Sequence, residues 1–206
     1  MSGTPVLLIV AGPNGSGKTS LTQQLRADGL DLGYYINPDD IARQLVGDYR
    51  EQVAAAQRIA DRLREDCLER RQSFSFETVM SHPSKIDILQ RARRLGYTNV
   101  LYFVCTESPA LNIARVRQRV SQGGHDVPEE RIVERYKRTL ALLPEAIAAC
   151  DRAVLYDNTY RASGESPVIM TPFCAFDRQL GLLRRQLLME PDDVPHWARE
   201  VVQALE

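Results

Sequence analysis

The 206-residue chain carries 26 Lys and Arg against 27 Asp and Glu, a net charge of −1, with 44% apolar and 26% charged residues. Those values suit one α/β domain with a well-buried core, and nothing in them marks the whole molecule as a nucleic-acid binder, although a local basic surface stays compatible with them. No run approaches the roughly 18 apolar residues of a membrane span, and no charged leader with an apolar stretch precedes the first strand, so no membrane partner and a cytoplasmic location are expected.

The first element is the apolar run 5–11, which reads as a buried parallel strand ending in a glycine-rich turn. A helix is expected over 18–26, a short strand over 34–36 stopped by Asn37-Pro38, and helices over 39–46 and 51–71. The second of these has Val53, Ala56, Ile59, Ala60, Leu63 and Cys67 at helical spacing. A third strand covers 73–76. A helix over 84–95 is closed by Gly96, and a fourth strand covers 99–104. Ser108 and Pro109 suit the N-cap and first turn of a helix reaching about Val120. A loop over 122–127 leads to a long helix over 128–150, which Pro144 is expected to bend or break. A fifth strand covers 153–156. The 160–206 extension is less regular: a sixth strand over 168–173, then helical segments over 178–189 and 196–205. The alternation of strands and helices predicts a mostly parallel sheet covered on both faces, in one domain spanning 1–206.

Residues Gly12-Pro13-Asn14-Gly15-Ser16-Gly17-Lys18-Thr19 fit G-x-x-x-x-G-K-[ST] between a strand and a helix. The glycines let the backbone curl so that its N–H groups point at phosphate oxygens, and the helix start running on through Ser20 adds its positive end. Lys18 is expected to reach the β- and γ-phosphates of ATP or GTP, and Thr19 to hold Mg²⁺. The fold implied is a P-loop NTPase of the nucleoside-kinase-like, three-layer kind. An N-K-x-D base-recognition motif is absent, and the fourth strand ends in Cys105-Thr106 rather than in paired acids, which points away from GTPases and motor ATPases.

Acidic residues follow the next two strands, at the carboxyl ends where doubly wound sheets place their sites. Asp39 is a candidate general base for an acceptor hydroxyl, and Asp40 a candidate substrate contact. The same Asn37-Pro38-Asp39-Asp40 run also makes a good helix start, and capping would hold an aspartate rigidly. Glu77 and Thr78 are candidates for binding substrate hydroxyls or a nucleobase, or they form a strand-end turn. Arg115 and Arg119, then Arg131 and Arg135, share helix faces at a spacing of four on either side of Gly123-Gly124. Two such helices, over about 108–140, form either a lid that brings guanidinium groups to the transferring phosphate or a solvated hairpin. His125 reads as a turn residue. Cys67, Cys105, Cys150 and Cys174 have no metal-ligand or redox spacing and read as reduced thiols.

Taken in order, A-G-P-N-G-S-G-K-T (11–19), I-N-P-D-D-I-A (36–42), F-E-T-V (76–79), R-V-R-Q-R-V-S-Q-G-G-H-D-V-P-E-E (115–130), R-Y (135–136) and Y-D-N-T (156–159) resemble the zeta-toxin kinases from about Val6 to Thr159. The resemblance implies transfer of a phosphoryl group to a hydroxyl of a nucleotide-activated sugar, UDP-N-acetylglucosamine in the toxins, and an antitoxin-like protein inhibitor as a partner. It implies Asp39 as the catalytic base, Glu77 as a substrate-binding glutamate, and Arg119 and Arg135 as catalytic lid arginines. The chain is compact, with a shorter stretch between Lys18 and Glu77 than in the plasmid toxins. A polynucleotide or nucleoside kinase on the same fold is an alternative, disfavoured by the near-neutral charge. A non-catalytic ATP-binding interaction module is another.

Overall fold

In the computed structural model, which describes residues 3–123, 126–159 and 170–205, β1 (Val6–Ala11) lies near the middle of the sheet and is buried almost throughout. It is flanked by two parallel strands, β3 (Phe74–Thr78) and β4 (Thr98–Cys105). A strand enclosed on both edges and both faces has no polar side to show, which is why V-L-L-I-V-A is continuously apolar. The short β2 (Tyr34–Ile36) pairs with β3, and β5 (Arg152–Asp157) with β4, both in parallel. Two antiparallel strands, β6 (Pro172–Gln179) and β7 (Leu182–Leu187), extend the far edge, so the seven described strands run in the order β2-β3-β1-β4-β5-β6-β7.

The two faces are covered unequally. On one, α3 (Tyr49–Arg70), α4 (Ser84–Arg94), α6 (Glu129–Ala148) and α7 (His196–Ala204) contribute to a large core around Phe74, Phe76, Phe103, Phe173 and Phe176. On the other, Leu21 and Leu25 of α1 (Lys18–Ala27) pack on Leu8, Val10, Val104 and Val154. The short α2 (Pro38–Ala42) is capped by Asn37, whose side chain accepts the Asp39 N–H, and α5 (Pro109–Ser121) by Ser108, which accepts the Leu111 N–H. Both caps occur where Asn or Ser precedes proline in the sequence. All four cysteines are free and buried. Among the described residues, no helix is long and apolar enough to cross a membrane.

Three expectations need correction. The segment expected to be helical over 178–189 instead finishes β6 and forms β7. Arg178 pairs with Leu183 and Gln179 with Leu182, leaving Leu180 and Gly181 as a two-residue turn, both at positive φ (51° and 83°). That backbone matches the twist of a hairpin, and Gly181 accepts it without steric cost. The alternating exposure of 182–187 is the signature of the strand, hidden in the sequence because L-L-R-R-Q-L carries apolar residues on both faces. The sixth strand begins at Pro172 rather than 168, with residues 168 and 169 outside the described residues. Pro144 does not break α6, which runs unbroken from Glu129 to Ala148.

The expected lid is also anchored along much of its length. From Ile132 onward α6 buries Tyr136, Thr139, Leu143, Ala146 and Ile147. The Tyr136 hydroxyl donates to the Thr106 carbonyl (2.7 Å) and that of Thr139 to the Val79 carbonyl (2.8 Å). Gly124 and the expected turn residue His125 lie outside the described residues.

The C-terminal elements are tied to the sheet by Trp197. Its ring packs on Phe103 and Phe173 at centroid distances of 5.8 and 5.5 Å, and its indole N–H donates to Asp157 Oδ1 (2.8 Å). Trp197→Phe keeps an aromatic ring in place and removes the donor to a carboxylate. The expected loss is about 1.5–3 kcal/mol of stability, read by urea unfolding followed by circular dichroism.

Candidate active site

The turn after β1 can curl only because its neighbours leave no room for side chains. A Cβ on Gly12 would stand 2.0 Å from the Val104 carbonyl oxygen, and one on Gly15 2.6 Å from that of Asn112. Both glycines have positive φ, 154° and 77°. The loop is closed from within by Lys18, whose ammonium donates to the carbonyls of Gly12 and Pro13, both at 2.9 Å. Withdrawal from water pushes the Lys18 pKa down from 10.5 to about 8, against the attraction of Glu77, with Arg119 lowering it further and Asp39 opposing. The Ser16 hydroxyl is buried and has no hydrogen-bond partner among the described residues. Thr19 and Ser20 are exposed at the start of α1, and Asn14 is half-buried.

Glu77, at the end of β3, lies beside this loop. Its Oε2 accepts from the Thr19 hydroxyl (3.0 Å), and its Oε1 accepts from Thr22 (2.8 Å) and Tyr35 (2.8 Å). Burial, followed by the Glu77 charge and the bond to it, raises the Tyr35 pKa well above the usual phenol range. Thr22 and Tyr35 were not among the expected site residues. Thr22 stands one turn after Lys18 and is buried against Glu77. Tyr35 is separated from Asp39 by Ile36, Asn37 and Pro38. Position next to a motif is the one signal the sequence holds for either.

Asp39 sits in the first turn of α2 with its charge registering at Lys18, so the loop and the second-strand acid share one field. Its neighbour Asp40 is half-exposed, pairs with Arg43 (2.9 Å), and has its charge registering at Tyr35. The Thr78 hydroxyl accepts the Met80 N–H (3.0 Å), while its carbonyl accepts the Gly12 N–H (3.2 Å). Thr78 thereby shapes the turn and buttresses the loop.

Of the two expected lid arginines, one touches the loop and the other acts on it through charge. Arg135, on α6, donates to Asn14 Oδ1 (3.4 Å), and Arg119, on α5, acts on Lys18. Arg115 turns to the Thr159 carbonyl (3.4 Å), and Arg131 is exposed. Arg117 and Glu129 form an exposed ion pair between the two helices. The segment after β5 closes the site's remaining side. Asn158 donates to the Ser16 carbonyl (2.8 Å), and a Cβ on Gly17 would meet its Nδ2 at 2.4 Å. Asp157 accepts from Trp197 and from the Thr159 hydroxyl (2.7 Å).

Residues 1–162 match the family model described as Zeta toxin. An uncharacterized protein of Haemophilus influenzae (strain Rd) is 28% identical over 131 residues, 63% of this chain and 91% of that protein. Two solved structures share the fold at low identity. The complex AvrRxo1-ORF1:-ORF2 with ATP matches at TM-score 0.66 and 14% identity, covering 98% of this chain and 77% of that one. A chain of the PezAT chromosomal toxin–antitoxin system of Streptococcus pneumoniae matches at TM-score 0.55 and 16% identity, covering 99% and 79%. The family match spans the phosphate loop, Asp39, Glu77, Arg119 and Arg135, and this P-loop kinase-like α/β chain belongs to the zeta toxin family.

Proposed function

We propose that the chain is an ATP-dependent kinase that transfers the γ-phosphoryl group to a hydroxyl of a small acceptor. A nucleotide sugar such as UDP-N-acetylglucosamine is the acceptor class suggested by family membership. The observation that carries this reading is the convergence on one loop of Lys18, the Thr19–Glu77 pair, Asp39 and two arginines from separate helices.

The residues fit a magnesium nucleotide. The orphaned, buried Ser16 hydroxyl stands in a loop where an anion would give it a partner. Thr19 Oγ1 and a Glu77 oxygen, adjacent at 3.0 Å, form the hard oxygen donor set suited to Mg²⁺, which takes one or two protein ligands alongside phosphates and water. We therefore place Glu77 on the metal side of the site, in place of the acceptor contact that the resemblance implies, and give Asp40 and Thr78 no acceptor role. When held there by Thr19 and Glu77, Mg²⁺ would supply positive charge against the negative charge that develops on the phosphates during transfer.

The chain's own groups do the rest. Loop amides and Lys18 hold the phosphates of ATP, or of GTP in its place. Arg119 and Arg135 stabilise charge on the moving phosphoryl group. Asp39 orients the acceptor hydroxyl and takes its proton as the oxygen–phosphorus bond forms and the bond to the β-phosphate oxygen breaks, releasing the nucleoside diphosphate. The toxin–antitoxin assembly of PezAT suggests an antitoxin-like protein inhibitor as a partner.

Phosphoryl transfer from labelled ATP to a panel of nucleotide sugars, sugars and nucleosides tests the activity. Asp39→Asn is expected to lower kcat by about 10²–10⁴-fold while leaving ATP affinity near that of the parent. An unchanged kcat would remove Asp39 as the base. Lys18→Ala is expected to weaken ATP binding by about tenfold or more. The Lys18 pKa of about 8 sets a pH dependence. Phosphate favours the charged amine, so the complex has the higher pKa. ADP affinity in EDTA should be level below about pH 8 and fall above it, by at most about tenfold per pH unit. Glu77, Arg119, Asp39 and Cys105 are the charged and titratable groups acting on that amine. Calorimetric titration across pH 7.5–9.5 (about two units around that value) checks the slope, which Lys18→Ala should flatten.

A further inference from the structure

One hydroxyl stands between the metal-side carboxylate and the helix that carries the base. Tyr35 has a single phenolic proton, and it goes to Glu77 Oε1 at 2.8 Å. The Tyr35 hydroxyl oxygen in turn accepts from Asn37 Nδ2 at 3.4 Å. Asn37 is the N-cap of α2, and its Oδ1 holds the Asp39 N–H at 2.9 Å. A chain of polar contacts therefore runs from Glu77 through Tyr35 and Asn37 to the Asp39 backbone.

The carboxylate is held asymmetrically. Oε1 receives two hydroxyls, Thr22 and Tyr35, and Oε2 receives Thr19. The Thr22 hydroxyl also lies 3.1 Å from the Lys18 carbonyl, so its proton has a competing acceptor. That leaves Tyr35 as the donor to Oε1 without a rival acceptor among the contacts it makes. One face of its ring is covered by the Arg26 guanidinium, 4.4 Å from the ring centroid. A glutamate χ3 torsion is broad when nothing restrains it.

From this we propose that Tyr35 is a positioning residue: its hydroxyl fixes the rotation of Glu77 so that Oε2 stays beside Thr19, setting the affinity of the site for the divalent cation of a magnesium nucleotide. The proposal rests on the kinase reading above and extends it to a residue outside the motifs. Partners that orient a metal ligand in this way contribute about 10–100-fold to metal affinity when removed.

Tyr35→Phe isolates the hydroxyl, since the ring over Arg26 is kept. The probe is mant-ADP binding to the full chain, followed by fluorescence, first in EDTA and then in rising Mg²⁺, with thermal unfolding by circular dichroism as the check of the fold. The expected result is an EDTA affinity within about twofold of the parent and a Mg²⁺ midpoint raised about tenfold. Loss of ring packing would move both. Glu77→Gln, measured alongside, should raise the midpoint at least as far. A Tyr35→Phe midpoint equal to the parent's, with Glu77→Gln shifted, overturns the role of Tyr35 and leaves the kinase reading standing. If Glu77→Gln also leaves the midpoint unmoved, the metal-side placement of Glu77 is wrong and the proposal falls with it. If mant-ADP does not bind the parent chain at all, the kinase reading itself fails.

Discussion

The space around the turn after β1 has no place for side chains, and the site depends on that constraint. Val104 of β4 and Asn112 of α5 press their carbonyls against Gly12 and Gly15, and Asn158 presses its amide against Gly17. The curl is thus imposed from outside by three other segments as well as allowed from inside by glycine. Lys18 completes it by binding the carbonyls of its own loop. The lowered pKa of Lys18 shows which effect wins there: loss of water outweighs the pull of Glu77 and Asp39. A loop with an enclosed ammonium and an orphaned serine hydroxyl is already arranged for an anion, so little reorganisation remains when one arrives.

The position of β1 in the sheet divides the chemistry. On one side β3 and β2 deliver Glu77, Tyr35 and, through α2, Asp39. On the other, β4 and β5 lead into the arginine-bearing helices and into the Asp157–Thr159 segment. Strand order reverses around β1, and the crevice that results at the carboxyl ends is where open α/β sheets hold ligands. Side chains of both halves meet at the loop. Glu77 reaches it through Thr19, and Arg135 reaches it through Asn14.

The C-terminal elements are more than an edge. Residues after 162 lie beyond the family match, yet β6 continues the sheet and α7 joins the main core. Through Trp197 and Asp157 they grip the segment that packs Asn158 against the loop. The α5–α6 hairpin is similarly constrained, because the inner length of α6 is core and bonds to Thr106 and Val79. Arg135, between the buried Ile132 and Tyr136, therefore has its backbone held in the core-facing part of α6.

Local chemistry written in the chain was enough for several features. A continuous apolar run followed by G-x-x-x-x-G-K-T specifies a buried strand and an anion loop, because both depend on neighbouring residues alone. The caps at Asn37 and Ser108 and the helical periodicity of 51–71 are of the same kind. The hairpin at Leu180-Gly181 was not legible, since L-L-R-R-Q-L suits a helix until an antiparallel partner strand fixes its faces. Nor were the bonds of Tyr35 and Thr22 to Glu77, or the contrast between Asp39, whose charge registers at Lys18, and Asp40, paired with Arg43. Those assignments need distances between groups that lie far apart in sequence, such as the 42 positions separating Tyr35 from Glu77. Sequence by itself determined that a nucleotide-type loop opens an α/β sheet. Tertiary packing alone decided which hydroxyls, carboxylates and guanidinium groups face it, because hydrogen bonds and charges act through space and the fold sets that space.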